Sequence, residues 1–163
     1  MTNKEAERIL VQALCKLKGE LCTFGKIIGE RPLVFRIAHY VACEAERENI
    51  TVDCDYNRRI SDIKTFRTKK WTLPDGRKSL RFFPDIVLHQ RESDGRNILV
   101  CEVKKKGDRR GRECDHQRLK ILTCRNGGFG YSVGAFVEVD QQESRIRLQW
   151  FRGGAKDGEE ITI

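Results

Sequence analysis

At 163 residues, with 39% apolar and 34% charged side chains, the chain has the length of one domain and can bury roughly two-thirds of its unfolded surface without covalent staples. No run approaches the roughly 20 consecutive apolar residues that a membrane-spanning helix needs, and the polar start Met1–Arg8 has no signal-peptide core, so a soluble cytoplasmic protein is expected. The net charge is +8 and its excess is clustered: Arg58 to Arg81 holds nine basic residues and two acids, and Lys104 to Arg112 six basic residues and one acid. Such clusters can neutralise phosphates or act as solvated faces. The seven cysteines are odd in number and lack the two-residue spacing of a zinc knuckle. They read as small structural hydrophobes.

Apolar residues at 6, 9, 10, 13, 14 and 17 predict a helix over 3–18, broken by Gly19 and Gly25. A second helix is predicted from Arg31 to Glu48, with Pro32 in its first turn and Leu33, Val34, Ile37, Ala38, Val41, Ala42 and Ala45 facing inward. Ile50 to Tyr56 alternates as a strand does. The basic stretch to Arg81 contains Leu73-Pro74-Asp75-Gly76-Arg77, a turn between two short strands and a possible arm for a nucleic-acid backbone, with Trp71 nearby. Leu80–Gln90 and Asn97–Lys105 read as strands joined at Asp94-Gly95, a strong hairpin signal. A third helix is predicted over Glu113–Arg125, ended by Gly127-Gly128, then strands over Phe129–Val139 and Arg145–Arg152. The polar tail from Gly153 is expected to be mobile. Residues 1–163 form one domain, with a core over about 30–152 and no internal repeat. This order suggests an α/β fold with a mixed sheet covered on both faces.

The hairpin is the informative part. With a two-residue Asp94-Gly95 loop, Asp85 falls opposite Lys104 and Val87 opposite Glu102. Side chains alternate along a strand, so Asp85, Glu102 and Lys104 share a face with Phe83, Val87, Ile98 and Val100. Phe82, Ile86, Leu88, Leu99, Cys101 and Val103 take the other. Asp85 and Glu102 become diagonal neighbours, roughly 7–8 Å apart, close enough to share one hard cation. A sheet apolar on both faces is buried on both, and three charges there are costly unless paired or bound to metal. A salt-bridged cluster is the alternative.

Pro84-Asp85, then sixteen residues, then Glu102-Val103-Lys104 resembles the signature of the PD-(D/E)XK nuclease superfamily, in element order from about Glu30 to Val139. The resemblance implies a restriction-endonuclease-like three-layer α/β/α sandwich and Mg²⁺-dependent (or Mn²⁺-dependent) cleavage of phosphodiester bonds, usually in DNA. Asp85 and Glu102 would hold the metal beside the Val103 carbonyl, and Lys104 would orient water and stabilise the developing charge. Family members often carry an acid on the preceding helix; Glu30 is the candidate ligand, with capping as its other role, and Glu44 a weaker one.

The third helix offers Asp115, Gln117, Arg118 and Lys120, of which Gln117 or Lys120 matches the helical Gln or Lys of related nucleases. Lys105, Lys106, Arg109, Arg110 and Arg112 leave the site towards that helix and are candidate phosphate contacts. His39, His89 and His116 lack metal-site spacing and are read as non-catalytic. Gly127-Gly128-Phe129-Gly130 precedes a strand, so no nucleotide cofactor is indicated. A non-catalytic nucleic-acid-binding module on the same fold, or a small interaction subunit, are the competing readings; a homodimer is possible.

Overall fold

Two apolar stripes at helical spacing open the chain, and both fold as expected. In the computed structural model the described residues are 1–24, 28–45, 50–55, 83–90, 97–107, 109–125 and 129–163, with the backbone of four short strands between 58 and 81. Helix α1 (Asn3–Leu21) begins at a capping box, in which the Thr2 hydroxyl accepts from the Glu5 amide and the Glu5 carboxylate accepts from the Thr2 amide. Its buried stripe is Ala6, Ile9, Leu10, Ala13, Leu14, Leu17 and Leu21, the predicted set extended by one turn. Helix α2 (Glu30–Ala45) buries Leu33, Ile37, Ala38, Val41 and Ala45.

Strand β1 (Thr51–Cys54) is followed by two small antiparallel pairs: β2 (Arg58–Arg59) with β3 (Asp62–Ile63), and β4 (Thr65–Arg67) with β5 (Ser79–Arg81). The second pair matches the two short strands expected around Leu73–Arg77; that turn, Trp71 and the side chains of this segment lie outside the described residues. The predicted strand Leu80–Gln90 divides in two: β5 belongs to the small pair, and β6 (Ile86–His89) starts afresh after Pro84-Asp85. Proline cannot donate to a ladder, so the break falls where the residue type requires it.

Strands β7 (Asn97–Lys105), β8 (Val133–Asp140), β9 (Arg145–Arg152) and β10 (Ala155–Thr162) complete a six-stranded mixed sheet, in the order β1-β6-β7-β8-β9-β10. β7 and β8 are parallel and helix α3 (Arg109–Thr123) connects them; every other pairing in this sheet is antiparallel. Side chains of α1 and α2 share one core cluster with Ile86, Leu88, Leu99, Cys101 and Val103. Those of α3 share another with Val87, Val100, Phe136 and Phe151. The alternation predicted for the hairpin is therefore present, except that Ile98 joins the first cluster, beside the register shift at Leu88/His89. The sheet is open, with β1 and β10 at its edges.

Three expectations need correction. The tail is not a mobile extension: Gly153 and Gly154, at φ +57 and +86, make a two-residue turn that brings Ala155 opposite Arg152 and starts β10. Both positions are left-handed, the arrangement of a type I′ hairpin, which glycine adopts without strain. The hairpin register also differs, with Ile86 opposite Cys101 and Leu88 opposite Leu99. The tip, residues 91–96, lies outside the described residues. Finally, the cysteines are free, and among them only Cys101 is buried; Cys15 and Cys43 lie off the inward stripes of their helices, Cys22 follows the end of α1, Cys54 ends the edge strand β1, and all four are exposed.

Candidate functional site

The predicted trio meets at the point where β6 stops and β7 continues. Continuing the observed register one step past Ile86 sets Asp85 opposite Glu102, not Lys104. The shift from the sequence reading is two residues, an even number, so the face is unchanged while the partner differs. Asp85 is half-buried, and its Oδ2 accepts a hydrogen bond from the Val103 amide at 2.7 Å. One step further the register sets Pro84 opposite Val103. In such a pair each residue would donate to the other, and Pro84 has no N–H to give to the Val103 carbonyl.

Glu102 is buried at 2% exposure beneath α3, where Arg118 Nη1 lies 3.4 Å from Oε1. The same guanidinium reaches back one turn of α3, placing Nη2 2.8 Å from Asp115 Oδ1. Lys104 Nζ lies 3.6 Å from Asp115 Oδ2 and donates to Glu30 Oε1 at 3.3 Å. Glu30, at the start of α2, also accepts from the Lys105 amide through Oε2 at 3.2 Å. Both Asp115 oxygens are buried and neither meets a donor in hydrogen-bonding geometry, although Arg118 and Lys104 are within ion-pair distance.

Four carboxylates (Glu30, Asp85, Glu102, Asp115) thus surround two cations (Lys104, Arg118), and two negative charges stay uncompensated if all are ionised. The titration behaviour follows. Burial pushes the Asp85 carboxyl up to about 6, against the Val103 amide, which pulls it down. Burial and the Asp85 charge push Glu102 well above the usual carboxylate range, with Arg118 opposing. Burial raises Asp115 against Arg118 and Lys104. For Lys104 burial favours loss of the proton, but Asp115 and Glu30 outweigh it and its pKa rises.

The donor set is all oxygen, the chemistry preferred by Mg²⁺ and Mn²⁺, while Asp115 is held by ion pairs with Arg118 and Lys104. Asp85, Glu102 and the Val103 carbonyl are the candidate ligands. Among the described residues no group of three or more His, Cys, Asp or Glu side chains is arranged to hold a metal ion. Glu30 is turned to Lys104 and Lys105, and Glu44 pairs with Lys16 at 2.8 Å.

The predicted phosphate contacts are engaged to different degrees. Lys106 pairs with Asp140 at 2.6 Å. Arg112 pairs with Glu138 at 3.1 Å and with Glu160, and its guanidinium lies over the Phe136 ring. Gln117 donates to Glu113 at 3.0 Å, and Lys120 is half-buried on α3. Arg109 and Arg110 form the first turn of α3, their side chains outside the described residues. The α3 residues facing the site are Asp115 and Arg118, not Gln117 or Lys120. The signal was present: 115, 118, 119 and 122 fall on one helical face, and Leu119 and Leu122 are buried core.

The histidines have other partners. His89 pairs with Asp53 at 2.9 Å, His39 stacks on Phe35, and His116 sits edge-on to Phe136 and Phe151. Among the described residues no helix is long and apolar enough to cross a membrane. No family model, curated protein or solved structure matches this chain.

Proposed function

We propose that the chain is a metal-dependent nuclease of the PD-(D/E)XK type, on a restriction-endonuclease-like α/β/α sandwich, hydrolysing phosphodiester bonds in DNA. One observation carries this reading: Asp85, Glu102 and Lys104 lie together where β6 ends, in a cluster with two more acids than cations. Asp85, Glu102 and the Val103 carbonyl would hold Mg²⁺ or Mn²⁺, which when bound polarises the phosphate and acidifies a water molecule. Lys104 acts as a donor and not as a base, because Asp115 and Glu30 keep it protonated. Its ammonium stabilises charge developing on the phosphoryl oxygens. The Asp85–Val103 hydrogen bond fixes the acid against the strand that carries the other two groups. Lys105 and Lys106, at the exit of β7, would meet the flanking phosphates, Lys106 by leaving Asp140.

The test is incubation of supercoiled plasmid with the purified protein and Mg²⁺ or Mn²⁺. Nicking should appear, and Asp85→Ala and Lys104→Ala should each lower it by about 100-fold or more while far-ultraviolet circular dichroism stays unchanged. Cleavage indifferent to both substitutions removes the site.

A second reading, a non-catalytic nucleic-acid-binding module, is favoured by the Arg118 bridge, whose guanidinium pairs with both Glu102 and Asp115. It predicts salt-sensitive DNA binding with no cleavage in either metal.

A further inference from the structure

Helix α3 has two flanks. Asp115 and Arg118 face the acid cluster, whereas Arg112, His116 and Lys120, spaced four apart, make a row towards β9 and β10. The His116 ring meets Phe136 and Phe151 edge-on, at 4.6 and 5.3 Å. A Cβ on Gly154 would stand 3.5 Å from the Lys120 carbonyl, so this end of α3 lies against the turn that starts β10. Lys156 is opposite Phe151 in the β9–β10 ladder, and opposed residues share a face, so it stands on the α3 side of the sheet. Two features of this seam are unexplained by folding alone. Arg112 is held by Glu138 and Glu160, but among the described residues no acid lies within ion-pair distance of Lys120 or Lys156. His116, 5% exposed, has its Nε2 buried without a hydrogen-bond partner, which is costly for a polar atom. Burial, then the charges of Lys156, Arg112 and Lys120, hold that imidazole down at about 4 against Glu113, so at neutral pH it is uncharged and keeps one N–H. Unpaired cations beside a neutral donor are complementary to a phosphate.

We propose that the seam between α3 and β10 is a phosphate-binding strip for a nucleic-acid strand, with Lys120 and Lys156 contacting its backbone phosphates and His116 as the neutral donor at its floor. The idea rests on the nucleic-acid reading above, in its catalytic or its binding form, and uses no metal. Arg112 stays with its two acids and bounds the strip. Because the strip lies on the flank of α3 turned away from Glu102, it holds the strand without touching the reacting groups. Phosphate contacts fix register and carry no sequence information, so binding through the strip is indifferent to base sequence.

The experiment measures binding of fluorescent DNA oligonucleotides of two unrelated sequences to the full chain by anisotropy, without divalent metal, between about 50 and 200 mM salt. Wild type is compared with Lys120→Ala, Lys156→Ala, the double variant, and Lys18→Ala as a control on the exposed side of α1. Each strip variant should weaken binding equally for both sequences and lower the slope of log affinity against log salt by about one, the double variant by about two. Lys18→Ala should leave the slope as in wild type. The His116 ring resonances in NMR spectra should move when the oligonucleotide is added, and those of His39 should not. A His116 response to inorganic phosphate but none to the oligonucleotide overturns the nucleic-acid strip in favour of a small phosphate ligand. An equal loss of slope in Lys18→Ala overturns it in favour of diffuse charge. DNA that is bound and nicked with unchanged slopes in both strip variants overturns the strip and leaves the nuclease intact. Lowered slopes in a protein that never nicks DNA in Mg²⁺ or Mn²⁺ support the strip and remove the nuclease. Absence of DNA binding at low salt overturns both.

Discussion

The Val103 amide donates to Asp85 at 2.7 Å across a position where the neighbouring strand has ended. Pro84 is responsible for that ending. Carried to this point, the ladder would require a donor that proline lacks, so the β6 backbone stops and the Asp85 side chain takes its place. The Pro-Asp pair is thus a device for terminating one strand while presenting a carboxylate to the next. Among the described residues the β6–β7 ladder stops at Ile86–Cys101 and does not reach the Val103 carbonyl, which the proposed site would offer to a cation.

Pro84→Ala returns the missing donor. Stability should stay within about 1 kcal/mol of wild type, since one gained hydrogen bond is offset by a freer unfolded chain. Plasmid nicking should fall by about tenfold as the Val103 carbonyl becomes occupied. Unchanged nicking would show that this carbonyl takes no part.

Two buried groups should give opposite pH dependences in one window. Asp85 titrates near 6 when folded and near 3.9 unfolded, so its stabilisation is complete below about pH 4 and is lost as pH rises through 6. Glu102 and Asp115 act in the same direction. Burial holds His116 down to about 4, against about 6.5 unfolded, so its stabilisation is present above pH 6.5 and lost as pH falls through 4. Each contribution is at most about 3.5 kcal/mol. Urea midpoints at pH 4.5, 5.5 and 6.5 separate them: Asp85→Asn should make stability rise more steeply with pH than wild type, and His116→Phe should make it fall. Parallel profiles for the two variants contradict these assignments.

Gly134 lets α3 lie on β8. A Cβ there would stand 2.8 Å from Thr123 Cγ2 and 3.1 Å from Phe151 Cβ, both side-chain atoms in the packed layer. Gly134→Ala should cost about 1–3 kcal/mol by overpacking. It should also weaken Mn²⁺ binding measured by calorimetry, because α3 carries Asp115 and Arg118. Loss of stability with unaltered binding would uncouple the helix from the site.

The last hairpin depends on its glycines. Gly153→Ala and Gly154→Ala each force a side chain into a left-handed backbone, costing about 1–2 kcal/mol in urea unfolding. Gly154→Ala should be the worse, since its φ of +86 lies farther than the +57 of Gly153 from the left-handed well near +57. Equal stability of both variants and wild type would mean that the turn relaxes freely.

The legible parts of the fold were those with a burial pattern. β7 and β9 have the bounds read from their apolar residues, and the α1 stripe matches position by position. The shared face of Asp85, Glu102 and Lys104 could be read because side-chain parity survives any even slip of register; which residues oppose each other could not, since the Leu88/His89 shift depends on local backbone geometry. β10 escaped notice because it is held by its ladder to β9 and buries little, so alternation was absent even though Gly153-Gly154 signalled a turn. Asp115 and Arg118 were visible as residues but not as site members, because a charged pair on a helix reads as solvent-facing until the helix has something to face.

β10 also bears on how copies of the domain could meet. It is an outer strand of the sheet, with backbone groups that another chain could extend into a continuous ribbon. Its register shifts between Asp157 and Ile161 around Gly158, and Lys156, Glu159 and Glu160 project along it. A kinked border lined with charge is a poor template for strand addition. Self-association of this domain would therefore be directed away from that margin, and concentrated solutions are guarded there against sheet-to-sheet growth.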